Sequence, residues 1–190
     1  MRRILLLLFI SGLWFSASAQ MGEWTAGCYY LLDSSKVCGI IKWNEGDNIQ
    51  FKTTDTAGKV KIKTTDLKAF VIKADSFVIS HNPDLRKYPV LMVTINTPLK
   101  LYMNLIEVTS ASGFGGYSSG YAPRYFYGSN PNDIKKISRK NFIEIMTQIL
   151  AGNEFFVEAI KDGRYSYDFM GELLLAYDTA KQRGLLNNAK

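Results

Sequence analysis

Histidine and cysteine are almost absent from this sequence, and their scarcity limits the chemistry that the chain can carry. His81 is the only histidine among 190 residues, so a three-histidine zinc site is excluded. It lies in the polar stretch HNPD, without a serine or cysteine partner at a catalytic spacing. The HExxH and CxxC patterns of metalloproteases and thiol oxidoreductases are also absent. We therefore predict no catalytic residue, no metal and no cofactor.

A strong excess of one charge sign is also missing. The chain has 23 basic and 17 acidic residues, and its net charge is +6. Lys59, Lys61 and Lys63 alternate along one predicted strand, which is typical of the solvated face of a half-buried sheet. A nucleic-acid site would need a denser basic patch, so we predict no nucleic-acid partner.

Several carboxylates lie in or beside predicted turns, where aspartate commonly bonds its own backbone. Two of them could still meet in space and hydrolyse a glycan or an ester, and this possibility stays open as a less favoured alternative. The six residues concerned are Asp33, Glu45, Asp47, Asp55, Asp66 and Asp75.

Apolar runs are too short for a membrane span, which needs roughly 20 residues. The longest run, 4–15, follows Arg2 and Arg3 and precedes the small residues 17–19 (ASA). That order is typical of a signal peptide. We predict that residues 1–19 are removed on export, that no transmembrane segment remains, and that the product is periplasmic or extracellular.

Cys28 and Cys38 are the only cysteines. The stretch TAGC ending at Cys28 resembles a lipobox, but threonine replaces the usual leucine and polar residues separate it from the apolar run, so lipid anchoring is disfavoured. In an exported protein the two cysteines could form a disulfide. A turn centred on Asp33 would place them opposite each other, whereas a two-residue turn at Ser34 and Ser35 would place them on opposite faces.

Short alternating strands dominate residues 20–130, and no helical pattern separates them. Among the apolar strand segments are 37–43, 70–72, 77–79, 89–95 and 99–108. The pattern predicts an antiparallel β-meander, curled or barrel-like.

The segment SASGFGGYSSGYAPRYFYG, residues 110–128, combines five glycines with six aromatic residues. No Lys-Ser or Lys-Thr pair follows the glycines, so it is not a phosphate-binding loop. We predict a mobile loop over 110–123, because loops of this length are usually functional or disordered. Phe114, Tyr117 and Tyr121 are its candidate ligand-binding residues.

From residue 138 the apolar period becomes helical. Phe142, Ile145, Met146, Ile149 and Leu150 form one stripe, with Ser138 as the predicted N-cap and Gly152 as the stop. Similar patterns follow after Asn153 and after Ser166. We predict a module of three short helices over 138–184, packed on the sheet in an α+β fold.

The strings GCYYLLDSSKVCGIIKW, GKVKIKTTDLKAFVI and ISRKNFIEIMTQILAGNEFFVEAIKDGRYSYDFMGELLLAYD resemble segments of small secreted proteins of Bacteroidetes-type bacteria. In those proteins a β-sheet domain with a Gly/Tyr-rich insert precedes a helical tail. The resemblance implies the architecture and an address in the envelope. Its motifs are features of fold, so it assigns no activity and no functional residue.

Together these observations predict a non-enzymatic binding or structural protein of the envelope whose partner is a protein, a glycan or a lipid. The main alternative is a carrier that holds a lipid or another apolar ligand inside a curled sheet.

Overall fold

Alternating apolar and polar residues form ten antiparallel strands in one open sheet. The computed structural model describes residues 22–111 and 117–186. The strands are β1 (Thr25–Leu31), β2 (Lys36–Trp43), β3 (Asn48–Lys52), β4 (Val60–Lys63), β5 (Leu67–Ile72), β6 (Asp75–Ile79), β7 (Val90–Ile95), β8 (Lys100–Ala111), β9 (Tyr117–Asn130) and β10 (Asp133–Lys136). Three helices follow the sheet, which confirms the α+β class.

The strand order departs from a simple meander. It runs β10-β9-β8-β7-β6-β5-β1-β2-β3-β4, so β1 is an interior strand that pairs with both β2 and β5. The chain completes β2 to β4 on one side of β1 and returns to the other side for β5. A short 3-10 turn, Thr64–Asp66, makes that return.

Of the two predicted forms, curled or barrel-like, the sheet is curled and does not close into a barrel. Trp43 on β2 and Phe77 on β6 have ring centroids 4.9 Å apart. Those strands are three positions apart in the sheet, which is roughly 14 Å along a flat one. The side chains meet only because the sheet bends around them. They belong to a buried cluster with Ile41, Ile49, Phe51, Leu67, Phe70 and Ile79.

Two glycines permit close backbone approach at the bend. Gly27 on β1 faces Gly39 on β2. A Cβ atom on Gly39 would overlap the Lys52 carbonyl and the Phe51 ring, and one on Gly27 would overlap the Val71 carbonyl. Residues with side chains would therefore push the strands apart at this position.

Cys28 and Cys38 form a disulfide across β1 and β2. They pair directly in the register, with Cα atoms 4.0 Å apart. Of the two turns that the sequence left open, the structure has the wider one centred on Asp33. Its carboxylate accepts a hydrogen bond from the Ser35 backbone N–H at 2.8 Å, which fixes that turn.

The prediction of a mobile loop over 110–123 is wrong for residues 110–111 and 117–123, which are in strands, and its central part, residues 112–116, lies outside the described residues. Strands β8 and β9 pair continuously from Lys100 and Gly128 to Ala111 and Tyr117. Strand β7 reaches only as far as Val90, so the distal part of this hairpin extends beyond the sheet as a two-stranded arm. Cross-strand backbone pairing here outweighs the low strand propensity of glycine and serine.

The helices are α1 (Phe142–Ile149), α2 (Glu154–Lys161) and α3 (Met170–Gln182). The predicted stripe on α1 is buried, and it contacts Ile95, Leu101 and Tyr125 of the sheet. The predicted cap at Ser138 is wrong, because α1 begins four residues later. Ser138 instead donates its N–H and its hydroxyl to Asn141 Oδ1, which delays the first helical turn.

None of the helices in the described ranges is both long enough and apolar enough to cross a bilayer.

Candidate functional site

A cavity of about 550 Å³ lies where the β2–β3 turn approaches β7 and β8. The cavity is within the usual range for small-ligand sites, roughly 300–1,000 Å³. Its wall comes from four separate parts of the chain. The lining residues are Trp43, Glu45, Gly46, Asp47, Phe77, Lys87, Tyr88, Pro89, Val90, Met92, Met103, Asn104 and Leu105.

Most of the wall is apolar. Phe77, Val90, Met92 and Met103 come from three neighbouring strands, and Met92 pairs directly with both Phe77 and Met103. Strand side chains alternate between the two faces of a sheet, so directly paired residues lie on one face. The two methionines are half-buried and flexible, which suits a wall that must adapt to an apolar molecule.

The β2–β3 turn forms the polar rim and is held from both sides. The Trp43 indole N–H donates to the Gly46 carbonyl at 2.9 Å. The fully buried Thr64 donates its backbone N–H and its hydroxyl to the Asp47 carbonyl, at 2.8 and 3.1 Å. These bonds fix the backbone between them, and Glu45 lies in that fixed segment.

Glu45 occupies an unfavourable position in two respects. Its φ is +57°, in the left-handed region that side-chain-bearing residues rarely adopt. Its Oε2 atom is buried and has no hydrogen-bond partner within the described part of the chain. Burial also raises the pKa of this carboxyl. Strained, unpartnered residues of this kind concentrate at functional sites.

Asn104 is the second residue of the wall with a buried oxygen that accepts no hydrogen bond within the described ranges. Its side chain is 2% exposed, and Nδ2 donates to the carbonyls of Tyr88 and Val90, both at 2.8 Å. The ladder between β7 and β8 begins only at Met92, so Asn104 fills the gap between the diverging strands. Carbonyl oxygens only accept, which fixes the amide with Oδ1 turned away from β7. That Oδ1 atom is buried, and no donor from the described part of the chain reaches it.

Charge at the cavity favours a cation. Glu45 and Asp47 are acidic, and neither forms an ion pair among the described residues. Lys87 is the one basic residue of the lining, and its ammonium lies 5.0 Å from the centroid of the Tyr88 ring. The rim therefore presents two carboxylates to one lysine.

Of the three residues predicted as a binding loop, Tyr121 is described in full, and it is not among the lining residues of this cavity. Tyr121 lies on the β8–β9 arm opposite Glu107 and is 58% exposed. Tyr117 begins β9, opposite Ala111, and its side chain is not described. Phe114 lies outside the described residues.

One motif in the arm was missed from the sequence. Residues 116–120, GYSSG, have the GxSxG spacing of serine hydrolases. In those enzymes the serine lies on a sharp turn between a strand and a helix. Ser118 lies instead within β9, paired with Ser110. The segment therefore matches the hydrolase motif in residue spacing but lacks the sharp turn that the catalytic serine requires.

The structure brings two of the six turn carboxylates, Glu45 and Asp47, to the cavity. His81 is exposed, and its backbone N–H donates to Asn132 Oδ1 at 2.7 Å. Within residues 22–111 and 117–186, no three His, Cys, Asp or Glu side chains are grouped as metal ligands. Asn104 was missed, although an asparagine inside the apolar strand LYMNLI is itself a signal of a buried polar role.

Comparison of the chain with protein-family models, with curated proteins and with solved structures gives no match in any of the three.

Proposed function

We propose that this protein is an exported, non-enzymatic binding protein that holds a small, mainly apolar ligand in the cavity between the β2–β3 turn and β7. The observation that carries the proposal is an adaptable apolar wall beside buried polar atoms that have no partner among residues 22–111 and 117–186. Apolar surface supplies affinity and a few polar groups supply orientation, which is the usual division in small-ligand sites.

Export supports the choice of a carrier or sensor over an intracellular role. A disulfide between Cys28 and Cys38 is compatible with an oxidising compartment. Residues 1–19 supply the features of a signal peptide. We propose the periplasm or the exterior as the location, with soluble export favoured over lipid anchoring.

Titration with Nile red, a neutral apolar dye, tests the proposed site. We expect saturable one-to-one binding with a rise in dye fluorescence. Met92→Trp should weaken binding at least about tenfold, because the larger side chain fills the cavity. Val60→Trp is the matched control, since Val60 is 56% exposed on β4 and does not line the cavity.

Equal dye affinity in the wild-type protein and in the Met92→Trp variant would overturn the assignment, because the dye would then bind elsewhere. Thermal unfolding of both variants establishes that a loss of binding does not come from a loss of folding.

The β8–β9 arm is a second candidate surface, for a protein or glycan of the envelope. The observation in its favour is the exposed Tyr121 on a two-stranded arm that projects beyond the sheet. Tyr121→Ser should weaken capture of such a partner in crosslinked pull-downs without lowering the melting temperature. Unchanged capture would assign partner binding to another surface.

A further inference from the structure

A buried acceptor beside the acidic rim specifies the chemistry of the ligand more narrowly than the apolar wall does. Glu45 lines the cavity, and its Oε2 atom lacks a donor within the described ranges. Asn104 directly follows Met103 on β8, so its side chain lies on the opposite face of that strand from Met92 and Met103 and takes no part in holding the ligand. A buried acceptor without a donor is unfavourable, and a ligand that supplies the donor removes that cost.

We propose that the ligand is an aliphatic or aromatic amine, bound as its ammonium ion, whose N–H groups donate to the Glu45 carboxylate while its apolar body lies along Met92 and Met103. This inference rests on the proposed function, since it names the ligand class of the same site. A primary ammonium carries three N–H donors, which is enough to serve both carboxylate oxygens.

Two observations favour an ammonium over a neutral or anionic head group. Glu45 Oε2 is an acceptor, so a carboxylate or phosphate head would leave it unsatisfied. Glu45 and Asp47 give the rim an acidic character that attracts a cation.

The fixed β2–β3 turn explains how Glu45 is held for this purpose. Hydrogen bonds from Trp43 and Thr64 to the Gly46 and Asp47 carbonyls hold the backbone that follows Glu45, so its left-handed conformation is imposed by its surroundings. Glu45 Oε2 is withdrawn from solvent, so contact with a ligand requires the Glu45 side chain or a neighbouring side chain to rotate.

Displacement of bound Nile red by three twelve-carbon amphiphiles tests the inference on the purified protein, below micellar concentrations. Dodecylammonium has charge and donors, dodecyltrimethylammonium has charge alone, and dodecanoate has the opposite charge. We expect dodecylammonium to bind about tenfold or more tightly than dodecyltrimethylammonium, and dodecanoate to bind most weakly.

Variants assign the effect to the proposed atoms. Glu45→Gln should weaken dodecylammonium about tenfold and leave Nile red affinity unchanged, which also shows that the variant is folded. Glu107→Gln makes the same change in net charge on the exposed arm and should alter neither affinity. If the three amphiphiles displace Nile red equally, the amine assignment is overturned while the proposed function stands. If Nile red does not bind, the proposed function fails and the amine assignment fails with it.

Discussion

We expect replacement of Glu45 by glycine to make the protein more stable and a poorer amine binder. A left-handed backbone costs a residue with a side chain about 1–2 kcal/mol, and glycine does not carry that cost. The substitution should therefore raise the free energy of unfolding by that amount before other effects are counted. The greater freedom of glycine in the unfolded chain offsets about 0.5–1 kcal/mol of that gain. Removal of a buried oxygen without a partner acts in the stabilising direction. The free energy of unfolding should therefore rise by about 1 kcal/mol.

Urea unfolding followed by circular dichroism measures this change, and the dependence of stability on urea should stay the same. Lys73→Gly is the matched control, because Lys73 also has a left-handed backbone, with φ +55°, and lies on an exposed turn away from the cavity. It should stabilise the protein by a similar or smaller amount and leave dodecylammonium affinity unchanged. The control and the variant both start from a left-handed backbone, so a difference between them in dodecylammonium affinity comes from the Glu45 carboxylate.

A Glu45→Gly variant that is less stable than the wild-type protein would refute the reasoning from strain. A variant that binds dodecylammonium as tightly as the wild-type protein would refute the role of the carboxylate. The two results are independent, since the first concerns the backbone and the second concerns the side chain.

Three further predictions follow from the fold. Because burial raises the folded-state pKa of Glu45, its favourable contribution is present at low pH and is lost as the pH rises through that pKa; the stability advantage of Glu45→Gln should therefore grow between about pH 4 and about pH 7 in urea unfolding. Replacing Cys28 and Cys38 together by serine should lower the free energy of unfolding by about 2–3 kcal/mol, and an unchanged value would show that the cross-link adds nothing. Gly39→Ala should cost about 1–3 kcal/mol in the same assay through overlap with β3, whereas Gly58→Ala, with open space around it, should not.

The elements that local pattern determines could be predicted from the sequence. The apolar stripe from Phe142 to Leu150 is buried, since helical spacing alone places those residues on one face. The strands were likewise recognisable from the alternation of apolar and polar residues with a period of two. Ser138 failed as a cap because Asn141, three residues on, accepts from both its N–H and its hydroxyl.

The β8–β9 arm could not be predicted, because its amino-acid composition favours a loop whereas backbone pairing between the two strands favours a hairpin. Glycine and serine between Ala111 and Pro123 favour a loop, while the long register that begins at Lys100 and Gly128 carries the strands onward. Pro123 lies within β9 nonetheless, beyond the part of the strand that β10 covers, where a missing N–H costs little.

The cavity was beyond sequence reasoning for a different reason. Its wall joins the β2–β3 turn to the start of β7 and to β8, and the curl of the sheet brings them together. The role of Asn104 depends on the divergence of β7 from β8, which no local pattern encodes. Glu45 looked like an ordinary turn residue because its backbone angle is visible only in the structure.

The two outermost strands of the described sheet, β4 and β10, have a consequence for behaviour at high concentration. Each carries two exposed lysines, Lys61 and Lys63 on one and Lys135 and Lys136 on the other. If another copy added its own outer strand to either edge, like charges would be brought together across the new ladder. Fibril growth by strand addition is therefore opposed at both edges of the described sheet, and the protein should stay dispersed at high concentration.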